Sequence, residues 1–395
     1  MSAAPRHFAS RISFFYAASF VVGGIITPYL PVWLKLRGFT PELISACLAF
    51  PLLARLVFTP VGSWMADRAP NRRFAIILFA FGALALFLPA AFLDARLGIL
   101  VLTGLAVTVS TLVQPTTDAL ALTGYRRFGL DYGRMRVWGS ISFVVVSLGA
   151  GAIIGHFGEP ILTELLVGAF MIAAVSAFAL PVTPPMERAL DDASKAKTVS
   201  KSAWRILTKR SFIAIALSTS LIQASHGVYY GFGSIHWASL GFSGDELGML
   251  WATGVVAEIL MLRFSGRFRR IGAEGFIVIG AVGAVVRWSL FPVITDFAPS
   301  LVLQMLHGLT FAATFVGMQM GIARDVDEER TASAQGVCQV IGGVLLAVST
   351  LLGGPLYARI GVDSVWAMVV PAVLGLLVLW LLSRRVSPTG QASAG

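Results

Sequence analysis

The chain has 395 residues, of which 56% are hydrophobic and 13% charged, and its mean hydropathy is +0.81. Such a composition leaves far more apolar surface than a water-soluble fold can hide, so the sequence reads as a polytopic membrane protein. The net charge of +10 comes with no aromatic-interleaved basic patch, so no nucleic-acid partner is expected, and basic loops facing anionic lipid headgroups account for it.

An apolar helix needs roughly 20 residues to cross a bilayer. Charge clusters cut this chain into twelve such runs, near 10–34, 43–65, 74–93, 97–119, 135–157, 161–180, 211–238, 246–264, 273–293, 300–322, 333–357 and 364–383. The expected fold class is all-α integral membrane, twelve transmembrane helices in two six-helix halves. The halves are 1–180 and 211–385, separated by a polar, lysine-rich linker at 181–210 and followed by a cytoplasmic tail at 386–395. With the amino terminus inside, 22 of the 30 Lys and Arg fall on the cytoplasmic side. Four, Lys35, Arg37, Arg96 and Arg359, fall outside. That asymmetry puts both termini in the cytoplasm of a bacterial-type inner membrane. The first run is too long for a signal peptide and is expected to be retained. Cys47 and Cys338 lie inside apolar runs and read as small core residues.

The first span carries Gly23, Gly24, Pro28 and Pro31, which let neighbouring helices approach. The second holds Arg55 near its centre, where a charge must face a cavity or a partner. A structural pair and a substrate contact are both open for it. The loop after it contains Asp67, Arg68, Arg72 and Arg73, an acid at a helix end followed by basic residues that can latch a neighbouring helix in one conformation and release it in another. The fourth span ends at Gln114-Pro-Thr-Thr-Asp118. The fifth opens with Asp131-Tyr-Gly-Arg-Met-Arg-Val-Trp-Gly-Ser140, in which Arg136 needs an anion, a carbonyl or water. Antiparallel neighbours joined by a short loop bring Asp118 beside Arg136.

The seventh span is polar and glycine-rich. His226, Tyr230, Gly233 and Trp237 recur at helical spacing, with Tyr229 beside them, and this stripe is expected to wall a cavity. Glu258 lies close to the midplane of the eighth span, a group placed to pick up and lose a proton. Arg287 in the ninth and His307 in the tenth sit at similar depths and can meet. Gln335 and Gln339 lie one turn apart in the eleventh. No metal-ligand cluster, nucleophile with a base, or phosphate-cradling loop supports an enzyme, and no soluble domain supports a sensor.

Gly62-Ser-Trp-Met-Ala-Asp-Arg-Ala-Pro-Asn-Arg-Arg73 resembles the signature loop of the major facilitator superfamily, and the whole twelve-span layout resembles that superfamily. Gly133-Arg-Met-Arg136 with Val-Trp-Gly139 is similar to the fifth-helix entry of lactose permease-like proton symporters, where an acid at the position of Asp118 binds substrate with its partner arginine. Arg287 and His307 stand twenty apart, as in that group. Gln304, Thr310 and Gly254 depart from its remaining charged pattern, which leaves Glu258 as the replacement proton carrier. Ala224-Ser-His-Gly-Val-Tyr-Tyr-Gly-Phe232 and Trp251-Ala-Thr-Gly-Val-Val-Ala-Glu258 look most like the phenylpropionate permease branch.

The resemblance implies secondary transport by alternating access, driven by a proton gradient and needing no cofactor or metal. The expected substrate is a small aromatic carboxylate. Its anion would sit on Arg136, oriented by Asp118, and its ring among Tyr229, Tyr230 and Trp237, with Gln335 and Gln339 nearby. Glu258, Arg287 and His307 would couple the proton. A nucleoside or sugar symporter and an exporter of hydrophobic compounds remain as alternatives. The partners expected are substrate, protons and lipid, and a monomer suffices.

Overall fold

A computed structural model describes residues 5–182, 209–327 and 330–383. Most of the expected linker, from 183 to 208, and the whole tail beyond 383 lie outside the described residues. The described residues are almost entirely helical. The first part of the chain forms α1 (Phe8–Leu36), α2 (Pro41–Arg68), α3 (Arg72–Phe92), α4 (Arg96–Ser110), α5 (Val113–Phe128), α6 (Tyr132–Phe157) and α7 (Leu162–Ser176). The second part forms α8 (Arg210–Ala224), α9 (Gly227–Ser239), α10 (Gly244–Phe264), α11 (Gly272–Leu290), α12 (Phe297–Met305), α13 (Thr314–Asp325), α14 (Thr331–Ile360) and α15 (Val369–Ser383).

Among the described residues, ten stretches are long and apolar enough to cross a membrane. Two of these, of 50 and 51 residues, are interrupted by 3₁₀ segments at Ser265–Ile271 and Gly361–Met368. Gly272 and Gly361 there take φ of +76° and +59°, conformations that glycine adopts without a Cβ clash and that allow the chain to turn back. Large apolar side chains such as Phe92, Leu97 and Val57 point outward, as lipid-facing residues do and as a soluble surface does not.

Several helix ends are fixed by side chains that satisfy backbone groups left over at the termini. Asp131 caps α6 by accepting from the Arg134 N–H at 3.0 Å, and Asn71 caps α3 through Phe74 N–H at 2.9 Å. Ser243 and Glu246 form a capping box at the start of α10. One device occurs twice. Arg11 of α1 donates to the carbonyls of Ala179 and Leu180 just past α7, and Arg210 of α8 donates to those of Leu381 and Leu382 at the end of α15. In both cases a guanidinium meets carbonyls that have no helical partner of their own.

Within the first part, α1 packs on α6 and α7, and α3 on α4 and α7. Within the second, α8 packs on α15 and α14, and α11 on α13 and α15. Contacts between the parts run mainly through α2 against α14 and α6 against α10, with α1 touching α9. At the seam of α6 and α10 the backbones meet: a Cβ on Gly151 would stand 2.5 Å from the Gly244 carbonyl oxygen, and one on Gly244 would stand 2.6 Å from Gly155 N. Gly248 lies against the Ser147 carbonyl in the same way. On the other seam, Gly354 of α14 abuts Pro41 O and Ser45 at the start of α2. Both seams are tightest at the end of the molecule where α6 finishes and α2 and α10 begin.

The fourth expected span differs from the observed helices. It bends at Thr111 and Leu112 and then continues as α5 to Phe128, nine residues beyond the expected end at 119. Pro115 tolerates a place in the first turn of α5 because its missing N–H has no partner to lose there. Asp118 therefore lies inside a helix and not at its end. The seventh span likewise breaks between α8 and α9, at Ser225 and His226.

Candidate functional site

A cavity of ≈ 950 Å³ opens between the two parts of the chain. Apolar walls from α1, α3, α6 and α7 include Phe20, Phe143 and Phe170. Its polar groups are Arg55, Gln114, Asp118, Gln335 and Gln339, together with short hydroxyl side chains such as Ser19 and Thr59. Gln335 donates from Nε2 to Oε1 of Gln319 at 2.9 Å. The two glutamines expected from the eleventh span thus reach the cavity, because α14 presents one side to it across α2.

Asp118 and Arg136 come together, with Arg136 Nε 3.8 Å from Asp118 Oδ1. The same carboxylate oxygen accepts from Tyr16 at 2.5 Å and from Tyr132 at 3.2 Å. The Arg136 guanidinium lies over the rings of Phe20, at 4.4 Å, and Tyr16, at 5.4 Å. Its charge is answered by a carboxylate and two π faces, and it is not among the cavity-lining residues. Of the pair, Asp118 faces the cavity while Arg136 lies behind the Phe20 ring.

A second polar group is sealed inside the C-terminal part. Arg287, fully buried, donates to Gln304 Oε1 at 2.6 Å, to His307 Nδ1 at 3.1 Å and to Thr310 Oγ1 at 3.3 Å. Tyr229 donates to the same Gln304 oxygen at 2.9 Å. The rings of Tyr229 and Trp288 lie 4.6 and 4.7 Å from the guanidinium carbon. Because an arginine N–H can only donate, His307 Nδ1 must accept, which leaves the proton of the neutral ring on Nε2. That nitrogen faces Glu258 Oε2 at 3.8 Å. On the other side His226 Nδ1 lies 3.1 Å from the Gln223 carbonyl and its Nε2 lies 3.1 Å from Thr310 Oγ1. The directions follow from the carbonyl, which only accepts: His226 donates from Nδ1 and takes the Thr310 hydroxyl proton on Nε2. Hydrogen bonds therefore run outward from Arg287, through Thr310 and His226 to Gln223 on one side and to His307 on the other, where the His307 ring faces Glu258.

A π-helical stretch at Gly308–Ala313, between α12 and α13, follows His307 directly. The wider winding sets Thr310 against both Arg287 and His226, and such insertions recur at functional positions.

The expected aromatic wall is placed differently. Tyr229 and Trp237 are 2% and 1% exposed, in a cluster where Tyr229 stands 5.1 Å from Trp251, 5.5 Å from Trp288 and 5.9 Å from Trp237. Their rings pack the core of the C-terminal part and do not line the cavity. Tyr230 is half-buried and stacks on His226 at 5.4 Å. The rings that do face the cavity, Phe20, Phe143 and Phe170, come from the N-terminal part. They were not singled out in the sequence because phenylalanine in a membrane helix is ordinary composition. Tyr132 and Tyr16, which hold Asp118, could be found only by knowing which helices touch.

The loop after α2 is partly structural. Arg72 donates to Ala119 O at 2.6 Å and Thr123 Oγ1 at 3.1 Å, on α5, and Arg73 to Phe178 O at 2.8 Å. Arg68 lies over the Trp64 ring at 4.2 Å. Asp67 is exposed, with no ion pair among the described residues. Among the described residues no three His, Cys, Asp or Glu side chains are grouped so that they could hold a metal ion.

The model of the MFS_1-like family matches residues 9–368. The chain is 32% identical over 364 residues to the probable 3-phenylpropionic acid transporter of Escherichia coli (strain K12), covering 91% of this chain and 93% of that protein. It is 24% identical over 387 residues to the maltose permease of Geobacillus stearothermophilus, with 95% of each covered. Among solved structures, the nucleoside transporter NupG superposes with a TM-score of 0.81 at 13% identity, over 95% of this chain and 98% of that one. A bacterial homolog of the human lysosomal transporter Spinster, in an inward-facing and unoccupied conformation, superposes at 0.73 with 15% identity, over 96% and 98%. At such identities the likeness to NupG and the Spinster homolog is one of fold.

Proposed function

Since the chain belongs to the MFS_1-like family, and so is a multi-pass membrane transporter of the major facilitator superfamily and not an enzyme, we propose that it is a proton-coupled symporter of a small aromatic carboxylate such as 3-phenylpropionate. The ten apolar stretches make twelve crossings in this reading, because a helix of 50 residues at 1.5 Å per residue would be about 75 Å long against a hydrocarbon core of about 30 Å. The repeated arginine-to-carbonyl device of Arg11 and Arg210 supports two halves of like construction. The bias of basic residues supports an inner-membrane protein with both termini in the cytoplasm, and a monomer suffices.

The observation that carries the reading is Glu258. It is a carboxyl inside a membrane helix whose neighbour at 3.8 Å is a histidine and not a cation. An uncompensated carboxylate there is expensive, so protonation and release at this point can be tied to movement of the two halves. His307 presents its Nε2–H to the carboxylate, and Arg287 holds that tautomer. The substrate class is supported by the 32% identical relative and by a cavity with phenylalanine walls. Tight seams at one end of α6, α10, α2 and α14 support a conformation open towards the cytoplasm, with the halves rocking about a midplane site.

Gln114, Gln335 and Gln339 on the cavity wall favour a second reading, a nucleoside or sugar whose hydroxyls the amides would bind. Uptake by proteoliposomes separates the two. Labelled 3-phenylpropionate, a nucleoside and a disaccharide are offered with and without an inward proton gradient, and gradient-driven accumulation of the acid alone is expected. Accumulation of a neutral substrate instead, or gradient-driven release of preloaded hydrophobic compounds, would replace the symport of an acid.

A further inference from the structure

Arg55 lies midway along α2 and lines the cavity. Among the described residues its guanidinium has no ion pair, hydrogen bond or aromatic face against it. The other charged group on the cavity wall, Asp118, already accepts from Tyr16 and Tyr132 and pairs with Arg136. Among the described residues the cavity therefore carries one uncompensated positive charge, that of Arg55. A cation held in a membrane-embedded space without a counter-charge is a functional group by default.

The side chain crosses the seam between the two halves. A Cβ on Gly343 of α14 would lie 2.5 Å from Arg55 Nη2 and 3.3 Å from its Cζ and Nε. The guanidinium thus rests on the bare backbone of the opposite helix, in a space that any side chain at 343 would fill. Gln339, which also lines the cavity, is one helical turn before Gly343, on the same side of α14.

We propose that Arg55, seated on Gly343, takes the carboxylate of the transported acid, with Gln339 as the second donor, while Arg136 stays committed to Asp118. The planar fork of arginine suits two parallel hydrogen bonds to a carboxylate. Binding then joins α2 to α14, helices of opposite halves, through the substrate itself. This rests on the carboxylate reading given above.

The test is equilibrium binding to the purified full-length protein of 3-phenylpropionate and of its uncharged amide, 3-phenylpropionamide. The wild type is expected to prefer the acid. Arg55→Gln is expected to weaken acid binding roughly 10- to 100-fold, the range of a lost charged hydrogen bond, with amide binding changed far less. Arg55→Lys keeps the charge without the fork and should fall between the two. Gly343→Ala leaves the charge in place and displaces the guanidinium, so it should weaken the acid and spare the amide. Among the described residues Arg55 has no partner to orphan, so Arg55→Gln should unfold at the wild-type temperature, which a thermal melt checks. Preference for the acid that survives in Arg55→Gln overturns the inference and leaves the substrate reading standing. Preference that vanishes in Arg136→Gln and not in Arg55→Gln returns the anchor to α6. A wild type with no preference for the acid removes the carboxylate reading and the inference with it.

Discussion

Replacing Gly244 by alanine should push the transporter out of the conformation described here. The new Cβ would stand 2.5 Å from Gly151 O and 2.6 Å from Gly155 N, where ordinary contact begins near 3.4 Å. Both opposing atoms are backbone, so no side chain can rotate away and α6 and α10 must part by close to an ångström. Overpacking of this kind costs about 1–3 kcal/mol. The cost applies only while the seam is closed, so the ratio of closed to open protein should fall by roughly 5- to 150-fold, at 1.4 kcal/mol per factor of ten. The readout is labelling of a single cysteine placed at the cavity residue Thr59, with a membrane-impermeant maleimide added from the side where α6 ends. Cys47 and Cys338 are buried and contribute little background. Gly149→Ala on the facing helix α6 is the control, because nothing lies within 4 Å of a Cβ there. Labelling in Gly244→Ala no faster than in the parent, or equally fast in Gly149→Ala, would refute the claim that this seam is the closed gate.

Glu258→Gln should still exchange labelled for unlabelled substrate across the membrane yet fail to concentrate it, and unaltered accumulation would sink the assignment of the proton to this residue. Arg287→Lys should lower the melting temperature of the detergent-solubilised protein and slow uptake, because one ammonium cannot replace a fork that donates to Gln304, His307 and Thr310 together; a loss of about 1.5–3 kcal/mol is expected for each charged hydrogen bond not remade. Asp118→Asn leaves Arg136 without its carboxylate and weakens the bonds from Tyr16 and Tyr132. It should lower the melting temperature while sparing the preference for acid over amide that Arg55 is held to set.

The sequence by itself determined the class of this protein, the approximate place of its helices and the identity of its chemically unusual residues. Hydrophobic length is a local property, and a charge inside an apolar run stands out wherever that run ends up. Arg55, Arg136, Glu258, Arg287 and His307 were visible for that reason, and twenty residues of spacing across one turn were enough to bring Arg287 to His307. Which way each of them faces was decided only by the tertiary structure. A soluble helix writes its buried side as an apolar stripe, but a membrane helix is apolar all round, since lipid and protein core make the same demand of a side chain. Trp237 had the spacing of a cavity wall, with Tyr229 beside that stripe, and both became core, packed on Trp288 and Trp251. Asp118 marked a helix end by its charge and lies within α5, because the chain turns only at Gly129. The division of labour between the two arginines turns on contacts more than a hundred residues apart, Tyr16 with Asp118 and Arg55 with Gly343, and no local pattern records them.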